Sequence, residues 1–353
     1  MANLYSLMVD ALGGKEQPSL LIADENCVDF PFSSLGAQTR VLSNRVDVVA
    51  KAQQSGLSPF FSDFDFSPFC DNSVLQASTV VYRLSKEKPV VHHIANRLSE
   101  LLVSGGSFTF FGSKQEGIKT FAKTLGHRFG CSPQIEKHGS HYSVRLQKST
   151  GALGAPLDDK NYTLLREISR IGDKPIYSKP GVFGWDKIDV GSALLAQYLP
   201  QFFSTYLPQS KGDGKPELLD LGCGYGYLSM IAATVGNFTI TATDNCAAAL
   251  VACTKNFHTH AVDGTVIGAD CGDCIGDSFD VILCNPPFHQ GFQQDRALSE
   301  KFLSATKRLL AADGRALFVV NQFVPLETLA AGKFRRIETP MNNGSFKLVV
   351  LGH

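Results

Sequence analysis

The chain has 353 residues, with 33 Lys and Arg against 33 Asp and Glu; 44% of it is hydrophobic and 19% charged. That length and balance provide for two ordinary globular domains with full cores and exclude a disordered chain. Zero net charge excludes a protein that holds nucleic acid by overall basicity, so any such partner has to meet a local patch. No run approaches the roughly eighteen apolar residues of a membrane span, and no basic residue precedes Lys15 as in a secretory signal. A cytoplasmic protein is expected, and its nine cysteines, an odd number, fit reduced thiols.

In chain order, "FFSDFDFSPF" (60–69) is aromatic but holds no basic residue, so a buried edge or core is expected there rather than a surface for stacking bases. "STVVYRLSKEKP" (78–89) leads toward "LLVSGGSFTFF" (101–111), a helix end, a glycine turn and a strand, and "GSHYSVRL" (139–146) opens another strand from a Gly-Ser turn. "QKSTGALGAPLDDKNY" (147–162) is rich in turn formers and reads as a connection. Residues 177–202 then enter a second domain through a loop and an amphipathic helix. Three segments of this second half echo the first: "FDVILCNPPFHQ" (279–290), "LLAADGRALFVV" (309–320) and "GSFKLVVL" (344–351) repeat the order strand, helix, strand. The expectation is a duplicated α/β fold: one domain over residues 1–150, a linker over 151–176 and a second domain over 177–353, each a mostly parallel sheet with helices on both faces.

The second copy carries the chemistry. "PELLDLGCGYGYLSMIAATVG" (216–236) is an apolar strand, a loop with Gly222, Gly224 and Gly226, then a helical pattern. Glycines at alternate positions leave backbone uncrowded, so a ligand can lie on the loop at the carboxyl end of a strand. The next strand ends in Asp244, placed to accept the hydroxyl hydrogens of a ribose, although an Asp there also makes a good turn former. Asn245 follows it. Asp270, with Cys271 beside it, stands where a third strand ends, in reach of an adenine amino group or simply in a turn. The dinucleotide fingerprint GxGxxG is not the spacing here; the loop reads Asp220-x-Gly222-x-Gly224-x-Gly226. An acidic residue ahead of the loop repels a pyrophosphate and suits an ammonium group, which points to S-adenosyl-L-methionine. The sequence resembles the class I, Rossmann-like methyltransferases.

Asn285-Pro286-Pro287-Phe288 ends a buried strand with residues that extend no ladder. The amine of a nucleobase or amide is a poor nucleophile because its lone pair is delocalised, so it needs acceptors rather than a strong base. The Asn285 side-chain oxygen and the Pro286 carbonyl can take its two hydrogens, with the prolines holding that carbonyl still and Phe288 giving the flat group a face to stack on. His289 either hydrogen-bonds the substrate or caps the loop. Cys271 and Cys274 have a metal-ligand spacing without a second pair at zinc-finger distance, so no metal is expected.

"NPPFH", "LDLGCGYGYLS", "PGVFGWDKIDVGSALL" and "NQFVP" (321–325) together resemble the RsmC family of 16S rRNA guanine-N2 methyltransferases, strongly over 177–353 and weakly over 1–150. The resemblance implies a catalytic second copy that binds S-adenosyl-L-methionine, and a degenerate first copy that braces its partner or grips RNA. It also implies a target guanine in 16S rRNA, on the 30S subunit; a monomer without membrane or metal is expected. It gives Phe183 and Asp189 a part in covering the cofactor and places Lys187 near the RNA. Gly184-Trp185 departs from the Ser-Arg pair frequent in the family, which removes a positive charge there. Large-subunit rRNA guanine-N2 enzymes, protein glutamine-N5 or DNA adenine-N6 enzymes, and a non-catalytic ribosome assembly factor are the alternatives.

Overall fold

The computed structural model describes residues 4–13, 18–72, 74–207, 214–287 and 292–353. They divide between Thr163 and Leu164 into two compact units.

The first unit runs α1 (Leu4–Ala11), β1 (Ser19–Ala23), β2 (Thr39–Ser43), α2 (Val46–Gln54), β3 (Pro59–Phe61), a short hairpin β4 (Cys70–Asp71) and β5 (Val74–Leu75), β6 (Thr79–Arg83), α3 (Lys88–Leu101), β7 (Ser107–Ser113), α4 (Ile118–Phe129), β8 (Gln134–His138) and β9 (His141–Gln147). Its main sheet has the order β3-β2-β1-β6-β7-β9-β8. The first five strands are mutually parallel; β9 runs against them and β8 pairs antiparallel with β9. The second unit opens with the hairpin β10 (Arg166–Ile171) and β11 (Lys174–Ser178). It continues with α5 (Val190–Tyr206), β12 (Glu217–Leu221), α6 (Tyr227–Val235), β13 (Thr239–Asp244), α7 (Ala247–His260), β14 (Gly264–Gly268), β15 (Phe279–Cys284), α8 (Phe292–Leu309), β16 (Leu310–Asn321), α9 (Leu326–Ala330), β17 (Arg336–Asn342) and β18 (Phe346–Gly352). Its sheet order is β14-β13-β12-β15-β16-β18-β17, with the same directions, so the repeat expected from the sequence is a repeat of topology.

The central strands are apolar on both faces because helices cover both. β12 alternates Leu218 toward a core with α5 and α7 and Leu219 toward a second core with α8. As the first strand of its seven-stranded sheet in chain order, β12 lies between β13 and β15, so later strands add on both of its sides. A crevice at the carboxyl ends of strands with this order is where α/β sheets bind ligands. In "FFSDFDFSPF", Phe64, Phe66 and Phe69 are buried in the core of the first unit, as expected.

Residues 151–176 do not form a free linker; they are shared between the units. Leu157 exchanges two 2.9 Å hydrogen bonds with the Asn96 side chain, and the buried Tyr162 donates to Asp63 at 2.6 Å, which ties this stretch to the first unit. The apolar Leu157 and Tyr162 gain more from burial than a solvated linker would allow. The stretch beyond Thr163 forms the β10–β11 hairpin. Asn256 of α7 is fully buried and bonds both backbone groups of Tyr177, fastening that hairpin to the second unit.

Candidate active site

The glycine loop leaves β12 with Gly222, Gly224 and Gly226 all in the left-handed region, at φ +81°, +54° and +83°. The N–H groups of Gly222 and Cys223 both donate to the Thr243 carbonyl at 2.9 Å, which holds the loop across the end of β13. Gly226 is required twice over: a Cβ there would sit 2.7 Å from the buried Sγ of Cys253 in α7, besides the strain of its φ. Asp220, 1% exposed, is the charged group beneath the loop. Its Oδ2 accepts the N–H of Ser229 at 3.0 Å and the hydroxyl of Ser229 at 2.6 Å. Burial pushes the Asp220 carboxyl up to about 6, against the Ser229 hydrogen bonds that favour its ionised form. Among the described residues no hydrogen bond reaches Oδ1.

Asp244 clamps the loop from the neighbouring strand. Its Oδ2 accepts the Gly224 N–H at 3.0 Å and its Oδ1 the Cys246 N–H at 2.9 Å, so the turn-forming role and a place at the loop mouth coexist in one side chain. Asn245 follows at a half-buried bend. Asp270 lies two residues past β14, in an ion pair with Lys301 of α8. An amino group that bonds Asp270 therefore shares its carboxylate with that lysine. Cys271 beside it is half-buried at φ 51°. Among the described residues, no three His, Cys, Asp or Glu side chains gather to hold a metal, and all nine cysteines are free thiols.

Asn285 stands one residue past β15, next to β12 in the sheet. Its Nδ2 lies 2.8 Å from Asp189 Oδ2 and 2.8 Å from Ser192 Oγ. An ionised carboxylate only accepts, so the amide nitrogen has to face Asp189 and the amide oxygen has to face away. Asp189 is the N-cap of α5, and the same Oδ2 accepts the Ser192 N–H at 2.8 Å. Pro286 is buried and Pro287 exposed; Phe288 and His289 lie outside the described residues. The loop before α5 folds over the glycine loop: the Tyr225 hydroxyl donates to the Lys187 carbonyl at 3.4 Å, and Cys246 Sγ lies 3.5 Å from the Gly181 carbonyl. Lys187 itself is exposed, and Phe183 is 54% exposed. The guanidinium of Arg166 in β10 lies 4.9 Å over the Trp185 ring, which brings a positive charge beside Gly184-Trp185.

Ser192, Ser229, Lys301 and Arg166 escaped the reading of the sequence. Only Ser192 left a signal, as the second half of an Asp-x-x-Ser cap ahead of a helix; the others meet their partners through the fold alone.

Strand register locates the matching positions in the first unit. Leu20 pairs with Val80 as Leu218 pairs with Val281, which sets Ile22 at the position of Asp220, Asp24 at that of Gly222 and Leu84 at that of Asn285. In place of a glycine loop the chain makes a short 3-10 turn at Glu25–Cys27. Asp24 is buried there and accepts the Tyr82 hydroxyl at 3.0 Å, and burial pushes its carboxyl up to about 8. The acid, the open loop and the amide are all lost from this copy.

The methyltransferase small domain family model matches residues 173–350, half of the chain. Ribosomal RNA small subunit methyltransferase C of Haemophilus influenzae strain PittEE is 30% identical over 276 residues, 77% of this chain and 78% of that protein. The protein of that name from Erwinia tasmaniensis is 27% identical over 280 residues, 78% of this chain and 76% of that one. Among solved structures, the Thermus thermophilus 16S rRNA N2 G1207 methyltransferase RsmC, a complex with AdoMet and guanosine, superposes with a TM-score of 0.79 at 20% identity. That match covers 99% of this chain and 91% of the other and shows a shared two-domain fold.

Proposed function

Since the chain belongs to the ribosomal RNA small subunit methyltransferase C family, we propose that it methylates the exocyclic N2 of a guanine in 16S rRNA with S-adenosyl-L-methionine as donor. The observation that carries the proposal is the Asn285 amide, whose nitrogen is tied down so that its oxygen is left to accept, one strand away from an open glycine loop over a buried acid.

The residues present fit the cofactor. Asp220 Oδ1 suits its ammonium group, the left-handed glycines leave backbone for it to lie on, and Asp244 and Asp270 offer carboxylates to ribose hydroxyls and an adenine amino group. Asn245, Cys271 and Phe183 complete the proposed set of cofactor contacts. When bound, the cofactor supplies an electrophilic methyl group on a sulfonium. The protein's part is to aim the amine. Asn285 Oδ1 and the Pro286 carbonyl accept the two N2 hydrogens, which turns the nitrogen lone pair outward and works against its delocalisation into the ring. A new N–C bond forms, the methyl–sulfur bond breaks, and the extra amine proton departs to water without a dedicated base.

Guanine N2 lies in the shallow groove of an RNA helix and is blocked while the base is paired, so the target has to be unpaired or flipped. Phe288 provides a stacking face, Pro287 fixes the turn, and His289 and Lys187 contact the RNA. Phe323, 77% exposed just past β16, adds another flat apolar face for a base. We place the reaction in the cytoplasm, on the 30S subunit, with the chain as a monomer of a degenerate first domain and a catalytic second domain that divide between Thr163 and Leu164.

The test supplies tritium-labelled S-adenosyl-L-methionine with 16S rRNA, 30S subunits, 23S rRNA, release factors or DNA, and digests the product. Label in N2-methylguanosine from 16S rRNA or 30S alone is the expected result. Label in methyladenine or methylglutamine would keep the site and discard the substrate; no transfer to any of them would remove the enzyme reading.

A further inference from the structure

We propose that Asp189 and Ser192 are positioning residues that lock the Asn285 amide in one orientation, and that this lock makes the site selective for an N–H donor. The proposal rests on the methyl-transfer reading above. An asparagine amide has two ends of nearly equal size, and a half-turn exchanges its acceptor for a donor. Turned the wrong way, Asn285 would present N–H to the amine it has to receive, and the substrate's lone pair would be held by that donor instead of being aimed.

Asn285 carries two Nδ2 hydrogens and meets two acceptors, Asp189 Oδ2 and Ser192 Oγ, each at 2.8 Å. Reversal would set the amide oxygen against a carboxylate and lose a charge-assisted hydrogen bond. The lock is mounted on a rigid element: Asp189 and Ser192 both belong to the first turn of α5, whose Leu195, Leu199 and Phe202 are fully buried. Gly191 gives the parts room to meet. A Cβ there would stand 3.1 Å from Asp189 Oδ2, 3.4 Å from the Phe346 ring and 3.5 Å from Asn285 Oδ1. The short contacts show that all these groups converge on one point at the ends of α5, β15 and β18.

The competing role for Asp189 is to cap the helix and nothing more, and substitutions separate the two. Serine caps as well as aspartate but is too short to span to Asn285. Asparagine keeps an oxygen where Oδ2 stands, able to accept from both Ser192 N–H and Asn285. Ser192→Ala removes the second acceptor.

The experiment uses the full chain with 16S rRNA and S-adenosyl-L-methionine. It compares wild type with Asp189→Ser, Ser192→Ala, Asp189→Ser/Ser192→Ala and Asp189→Asn. The read-outs are kcat and KM, cofactor Kd by calorimetry, thermal midpoint, and solvent exchange of the Asn285 side-chain amide by NMR, its signal identified by its disappearance in Asn285→Asp. Each single loss is expected to lower kcat about tenfold and the double about a hundredfold, the scale on which misplaced catalytic groups act. KM and cofactor Kd should stay within about twofold, again because only orientation is lost. Amide exchange should quicken at least about tenfold in the double variant as its two acceptors vanish. Asp189→Asn should recover most of what Asp189→Ser loses.

The proposal is overturned if the double variant turns over like wild type, if amide exchange is unchanged, or if cofactor affinity falls in step with kcat, which would make Asp189 a cofactor ligand. A wild type that methylates no rRNA refutes the functional reading, while amide exchange still decides the lock.

Discussion

With Asp220 as the proposed holder of the ammonium group, cofactor affinity should depend on pH, in the direction set by its raised pKa. An ordinary aspartate titrates near 3.8, and burial moves this one to about 6. The difference corresponds to about 3 kcal/mol between its protonated and ionised forms. With the folded value above the unfolded one, the favourable contribution of protonated Asp220 is complete below about pH 4 and is lost as pH rises through about 6. At pH 7.5 the folded chain therefore holds a buried carboxylate at a disadvantage of about 3 kcal/mol. A cationic ammonium at Oδ1 favours the ionised form, so binding should draw its strength from relieving that disadvantage. Calorimetry with S-adenosyl-L-methionine should show affinity rising about tenfold per pH unit up to about 6 and levelling above it. In buffers of different ionisation enthalpy, close to one proton should be released per cofactor at pH 5 and none at pH 7.5. Asp220→Asn should abolish the slope, weaken binding at pH 7.5 and raise stability there, because it removes the buried charge. A wild-type Kd that is flat from pH 5 to 7.5 would refute the assignment of Asp220 to the ammonium.

Asn285→Ala should keep cofactor Kd within about twofold while kcat falls about 10²–10³-fold, the usual loss when an aimed hydrogen-bonding group is removed; undiminished transfer would end the proposed role of that side chain. Gly226→Ala adds a left-handed penalty of about 1–2 kcal/mol to overpacking of about 1–3 kcal/mol against Cys253. Urea unfolding of the variant should show a loss of that order, and an unchanged midpoint would mean that the loop relaxes freely. In the first unit, the high value of Asp24 means that stability conferred by its neutral form is lost as pH rises from about 4 through about 8. Asp24→Asn should flatten the thermal midpoint over that range, and an unaltered profile would assign the pH dependence to other groups.

Much of the fold was readable because its signals are local. Apolar strands, the alternate glycines and the Asn-Pro-Pro turn each announce themselves within a dozen residues, and three echoed segments suffice to show a repeat whose sheet orders turn out to match. What stayed hidden depends on contacts between distant parts of the chain. Asn285 and Asp189 are 96 residues apart, and Lys301 reaches Asp270 across 31; nothing in either neighbourhood records the other. The stretch 151–176 misled for a related reason. Its turn-forming residues describe backbone shape faithfully, but whether such a segment floats or docks is decided by what Tyr162 and Leu157 find to bury against.

Ile22, Asp24 and Leu84 stand where the second unit has Asp220, Gly222 and Asn285, and the first two of these positions resist being made alike. Restoring an acid at position 22 would place a carboxylate two residues from Asp24, whose own proton already holds on to about 8. Removing Asp24 first would strip the Tyr82 hydroxyl of its acceptor inside the core. Both changes work against the packing that this core already has, so Asp24 and Tyr82 hold the first sheet's loop end closed where the second sheet's is open.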